Sequence, residues 1–174
     1  PIVEIASNDG SLLKKFNNKG YKNTLGIEPA KNLAAEANKF GIKTLSCFLN
    51  KKNVNLILKK TSKPQLIVAN NVIAHIPDIN DFCSALYNTL HDKGIITVEF
   101  HHLFRLMKSN AFDTIYHEHQ FYHSLYTIKK ILIKNNLKVF DADEINIHGG
   151  GLRLYICKVE NKNFEETNKL KKLE

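Results

Sequence analysis

The chain has 174 residues and a formal net charge of +8, with 43% of its residues apolar and 24% charged. That supports one core of ordinary size and not two full domains, and no apolar run approaches the roughly 18–20 residues of a membrane span. The lysines spread along helix faces and gather in the tail "NKNFEETNKLKKLE" without an RNP-like motif or recognition helix, so they read as a solvated surface, or as attraction for a phosphorylated small substrate, and not as a nucleic-acid footprint.

"PIVEIA" opens as a short apolar strand ending at "SNDGS", and "LLKKFNNKG" follows as a helix closed by Gly20. "NTLGIEP" is a second strand, followed by the Ala-rich helix "AKNLAAEANKFG". "IKTLSCF" is a third strand, residues 50–60 a weaker helix, and "PQLIVANN" a fourth strand. In "DINDFCSALYNTLHDKG" the apolar residues Ile79, Phe82, Cys83, Leu86 and Leu90 have the spacing of one helix face. "GIITVEFHH" is a fifth strand, followed by the histidine-rich run "FDTIYHEHQFYHS" and a helix at about 125–136. The strands "LKVFDADEINI" and "GLRLYICKV" are joined by "HGGG", a hairpin-like connection that makes them antiparallel.

This order predicts an α/β fold with a mostly parallel, doubly wound, seven-stranded sheet ending in an antiparallel hairpin. The domain is expected over residues 1–160, with 161–174 a polar Lys-rich tail or the start of a further domain. The start, inside a strand with no initiator Met or signal-peptide flank, predicts a segment of a longer, cytoplasmic protein. Cys47, Cys83 and Cys157 share no metal-ligand spacing and read as buried thiols of a reducing compartment.

In such sheets ligands bind beyond the carboxyl ends of the strands. That edge collects "SNDG", Glu28, "CF", "ANNV", "HHLF" with "YHEH", and the turn His148–Gly151. The first loop is not G-x-G-x-x-G, since only Gly10 is present, and it is not a Walker loop. Eighteen positions after Gly10, Glu28 ends the second strand, where a carboxylate accepts from both ribose hydroxyls of an adenosine. The plain alternative is a cap ahead of a helix starting at Pro29. An adenosine ligand without a pyrophosphate cradle points to S-adenosylmethionine rather than NAD. The expected cofactor residues are Glu4, Ala6, Ser7, Asn8, Asp9, Gly10, Glu28, Pro29, Phe48, Asn70, Asn71 and Val72. Asn70 and Asn71 would serve the amino acid or adenine, and Phe48 would lie beside the adenine ring.

The motifs "VEIASNDGSLL", "GIEPAKNLA", "ANNVIAHIPDINDF", "FDTIYHEHQFYHSL" and "HGGGLRLY" resemble, in order, those of bacterial sugar C-methyltransferases acting on nucleotide-linked deoxysugars. The resemblance covers residues 2 to about 157. It implies a Rossmann-like class I S-adenosylmethionine methyltransferase fold, a three-layer sandwich. It also implies an N-terminal zinc domain and a C-terminal sugar-binding domain, both absent from these residues. Gly151 stands where the family has a serine.

Carbon methylation beside a ketone requires a base for an acidic C–H and stabilisation of the enolate. The resemblance implies that His119 is the base, that Glu118 and Tyr116 hold the sugar or the imidazole, and that His75 is a second active-site histidine. His117 alternates away from His119 if the segment is extended, and is read as structural. His148 and the glycines after it face an anion or form a plain turn, and Arg153 is a candidate diphosphate contact. Two other readings stay open. His117, His119 and His123 could ligate a metal, although the expectation here is no metal; or the domain could keep the cofactor without chemistry.

Overall fold

The computed structural model describes residues 1–146 and 150–173. Its sheet has seven strands: β1 (Ile2–Ile5), β2 (Thr24–Ile27), β3 (Thr44–Leu45), β4 (Leu66–Asn70), β5 (Ile95–His101), β6 (Leu137–Ile145) and β7 (Gly151–Lys158). Their order is β3-β2-β1-β4-β5-β7-β6. β1 pairs in parallel with β2 and β4, β2 with β3, and β4 with β5, whereas β7 runs antiparallel to β5 and β6. The mostly parallel sheet with a terminal antiparallel pair is therefore as expected.

β1 and β2 are buried along their whole length, which is why they read as apolar runs without alternation. On one face, Ile2 and Ile42 pack with Leu13 of α1 (Ser11–Asn18) and Ala37 of α2 (Lys31–Lys39). On the other, the main core joins Val3, Ile67 and Ile96 to Ile57 of α3 (Val54–Leu58), Phe82 and Leu86 of α4 (Ile79–Thr89), and Ile128 and Leu132 of α6 (Leu125–Lys134). Helices on both faces of the sheet make the three layers. The tail is not detached: Leu170 of α7 (Asn168–Leu173) is fully buried in the main core, and the Thr167 hydroxyl donates to Asp141 at 2.6 Å.

Two local expectations differ from the structure. The third strand shrinks to two residues, because the chain leaves β2 after Leu45. A helix not foreseen, α5 (Leu103–Ser109), follows β5 and ends at Asn110, whose φ of 51° is left-handed. Among the described residues no helix is long and apolar enough to cross a membrane. His148 and Gly149 lie outside the described residues.

Candidate active site

The first loop turns sharply at alternate positions. Ala6, Asn8 and Gly10 have φ of 53°, 48° and 78°, all left-handed. The chain thus makes a glycine-type turn with only one glycine, holding Ala6 at a cost of about 1–2 kcal/mol. Gly10 has a further reason to be glycine: a Cβ there would come within 2.7 Å of Ile42.

Carboxylates take up the amide groups of this loop. The Asn8 N–H donates to Glu28 Oε2 at 3.0 Å and the Ser11 N–H to Asp9 Oδ1 at 3.0 Å. The other oxygen of Glu28 accepts the Ala30 N–H at 2.8 Å, so Glu28 ties the loop to the start of α2, which makes it a cap as well as a ligand candidate. Hydrogen bonds from Ser11 hold the Asp9 carboxyl below its ordinary range. Glu4 lies the other way: burial, then the charges of Asp9 and Glu28, push it up to about 7. A phosphate would meet three acids instead of open N–H groups, so the loop repels a pyrophosphate and suits a cation. Glu4 Oε2, Ser7 Oγ and Asn70 Oδ1 are buried without a hydrogen-bond partner among the described residues. Such atoms are what a bound polar ligand satisfies.

Asn70 ends β4, and Asn71 (φ 54°) turns the chain while its N–H donates to the Glu99 carbonyl at 2.8 Å. Val72 is buried at this turn, whereas Phe48 is 65% exposed. Pro29 leads into α2, its carbonyl facing the Ser46 hydroxyl at 3.5 Å.

The histidine-rich loop docks on the turn after β4. The Gln120 and Phe121 N–H groups both donate to the Ala74 carbonyl, at 2.9 and 3.3 Å, and His75 Nδ1 meets the Glu118 carbonyl at 2.8 Å. The loop base is closed by the Leu103 N–H donating to the His123 carbonyl at 3.0 Å, and Ser124 then caps α6. Inside, the chain is not extended: the His119 N–H donates to the Tyr116 carbonyl at 3.0 Å, a turn that brings side chains three apart together. His117 therefore departs from His119 through a turn and not through strand alternation.

His119 sits in a nest of rings. Tyr116 lies at 4.3 Å between centroids, His75 at 5.0 Å, His101 at 5.4 Å and Tyr122 at 6.0 Å. His119 Nδ1 is 3.1 Å from the Thr114 carbonyl, and Nε2 is 3.1 Å from the Tyr116 hydroxyl. A carbonyl only accepts, so Nδ1 bears the proton and Nε2 presents a lone pair. The Glu118 side chain is exposed nearby. His123 is elsewhere, 5% exposed between Phe100 and Phe121, and burial lowers its pKa. The three histidines of the run do not converge, and among the described residues no three His, Cys, Asp or Glu side chains are grouped to hold a metal. Arg153 is occupied by Glu99, with Nε donating at 2.6 Å.

A family model described as a methyltransferase domain matches residues 1–142. The chain belongs to the methyltransferase-domain family. This methyltransferase domain is 32% identical over 154 residues to the C-methyltransferase NovU of Streptomyces niveus, a match covering 88% of the chain but only 36% of the length of NovU. Its fold is similar to an S-adenosylmethionine-dependent methyltransferase from Clostridium acetobutylicum, with a TM-score of 0.70 and 15% identity over 90% of this chain and 83% of that one. It is also similar to magnesium protoporphyrin IX methyltransferase from Synechocystis with bound SAH (TM-score 0.67, 13% identity, 90% and 73% of the two chains).

Within the methyltransferase domain, the foreseen residues fall into two groups on one sheet edge. Glu4 to Gly10 and Glu28 form one; His75, Tyr116 and His119 form the other, joined through Ala74 to the turn at Asn70–Val72. Sequence reasoning missed Thr114, Tyr122 and His101. His101 stood in the quoted "HHLF" without a role, and Tyr122 lay in the same aromatic-rich run.

Proposed function

We propose that this domain binds S-adenosylmethionine and supplies the acid–base loop of a C-methyltransferase. Its substrate in this reading is a small molecule, a nucleotide-linked keto-deoxysugar in the cytoplasm, methylated at the carbon beside the ketone. Residues 1–160 are the cofactor domain of that enzyme. The observation that carries the reading is the pairing of a carboxylate-ringed loop at Glu4–Gly10 with a histidine whose Nε2 lone pair is presented beside Tyr116.

When bound, S-adenosylmethionine supplies an electrophilic methyl group. The chain does the rest. Glu28 keeps lone pairs on both oxygens after accepting Asn8 and Ala30, enough for ribose hydroxyls. Glu4, Ser7 and Asn70 offer unpartnered buried oxygens to polar groups of the cofactor. Ala6, Asn8, Asp9 and Gly10 shape the loop, and Pro29, Asn71 and Val72 the flanking turns, while Phe48 offers an open ring for the adenine.

His119 Nε2 takes the proton alpha to the ketone, and the imidazolium formed is held by the Thr114 carbonyl at Nδ1. The Tyr116 hydroxyl stands beside Nε2, placed to donate to the enolate oxygen as the proton leaves carbon. Glu118 faces the sugar, and His75 holds the loop through the Glu118 carbonyl. Similarity to a C-methyltransferase supports carbon as the acceptor atom. Calorimetric titration with S-adenosylmethionine and S-adenosylhomocysteine tests the cofactor: saturable binding of both is expected, and no heat from a folded sample refutes it.

A further inference from the structure

We propose that Tyr122 is a positioning residue for His119, acting through the carbonyl of Thr114. The inference rests on the reading of His119 as the proton acceptor. A carbonyl oxygen has two lone pairs, and that of Thr114 receives two donors: His119 Nδ1 at 3.1 Å and the Tyr122 hydroxyl at 3.3 Å. The carbonyl that fixes which ring nitrogen of His119 carries the proton is thus itself fixed by Tyr122.

Tyr122 is suited to that task because its side chain is partly buried beside α5 and beside the residues that flank Thr114. It lines an apolar depression of about 360 Å³ with Leu103 and Leu106 of α5 and with Phe112 and Ile115. Its ring meets His119 nearly at right angles, at 81°. The loop is tied to the domain at Ala74, at His75 through the Glu118 carbonyl, and at its base through the His123 carbonyl, while on the Thr114 side the Ala111 N–H donates to the Leu106 carbonyl at 3.0 Å. Thr114 closes the 3₁₀ turn Phe112–Thr114, its hydroxyl donating to the Ala111 carbonyl at 2.8 Å, while its own carbonyl receives both donors from beyond that turn. Tyr122 supplies a second donor to that oxygen from eight residues along the chain, and the lone pair of His119 is thereby kept at Nε2.

Nitrogen-15 NMR of the protein labelled in its histidine rings reads the tautomer without turnover. In the wild type the His119 proton is expected on Nδ1. Tyr122→Phe keeps the ring and its packing and removes only the hydroxyl. The His119 population should then move toward the Nε2–H form. Deuterium exchange alpha to the ketone should fall on the order of tenfold, with cofactor affinity unchanged. A wild-type ring protonated at Nε2 overturns the proposal with no variant needed. An unchanged tautomer in Tyr122→Phe overturns it too, even if exchange falls, since packing alone would give that. Failure of the base reading shows separately, as exchange retained in His119→Gln.

Discussion

The hydroxyl of Tyr116 lies 3.1 Å from Nε2 of His119, with the two rings 4.3 Å apart. Because Nδ1 is committed to the Thr114 carbonyl, this is the histidine's proton-accepting side, and Tyr116 occupies it. A phenol at that point can pass from the lone pair to an oxyanion forming beside it. Tyr116→Phe is expected to lower kcat on the order of a hundredfold, as loss of an oxyanion donor does. Cofactor affinity measured by calorimetry should not change.

Glu28 accepts the Asn8 and Ala30 amides with separate oxygens, at 3.0 and 2.8 Å, while only 4% exposed. Glutamine offers one oxygen and turns an NH2 toward the other amide. Glu28→Gln should therefore cost about 1–3 kcal/mol of stability, seen as a lower chemical-denaturation midpoint. S-adenosylmethionine affinity should fall at least tenfold, because the surviving oxygen serves both backbone and ribose. Unchanged affinity would remove Glu28 from the cofactor site.

The Glu4 carboxyl is raised from 4.5 to about 7, first by burial and then by Asp9 and Glu28. The folded state thus binds this proton more tightly than the unfolded chain. Its contribution is fully present below pH 4.5 and is lost as pH rises to about 7. Relative to Glu4→Gln, the wild type should lose about 3 kcal/mol of stability across that window. A cationic cofactor favours the ionised carboxylate, so S-adenosylmethionine should bind more tightly at pH 8 than at pH 6, and the Gln variant should lose this dependence. Parallel pH profiles for the two proteins would contradict the assignment.

The fold was legible where burial is one-sided or complete. β4 and β5 read directly as apolar runs, and α4 as a face built on Phe82, Cys83 and Leu86. α5 was not, because its seven residues present a single buried apolar side chain, Leu106, and follow a strand without a break. In the site, Glu28 was marked by its position after a strand. The left-handed turns at Ala6 and Asn8 were hidden, since neither residue announces a positive φ as glycine does. Thr114 was hidden for another reason: it acts through a backbone carbonyl, and a carbonyl has no signature in a sequence. Tyr122 becomes visible only once the loop folds onto Ala74 and brings its hydroxyl to that carbonyl.

The most direct test of the central claim is solvent-deuterium exchange at the carbon alpha to the ketone of a nucleotide-linked keto-deoxysugar, measured for the wild type and for His119→Gln with cofactor binding confirmed in both. His119 is expected to be required: the wild type exchanges and methylates, and the variant binds cofactor but does neither. Exchange at the wild-type rate in His119→Gln would assign the base to another residue and contradict the account.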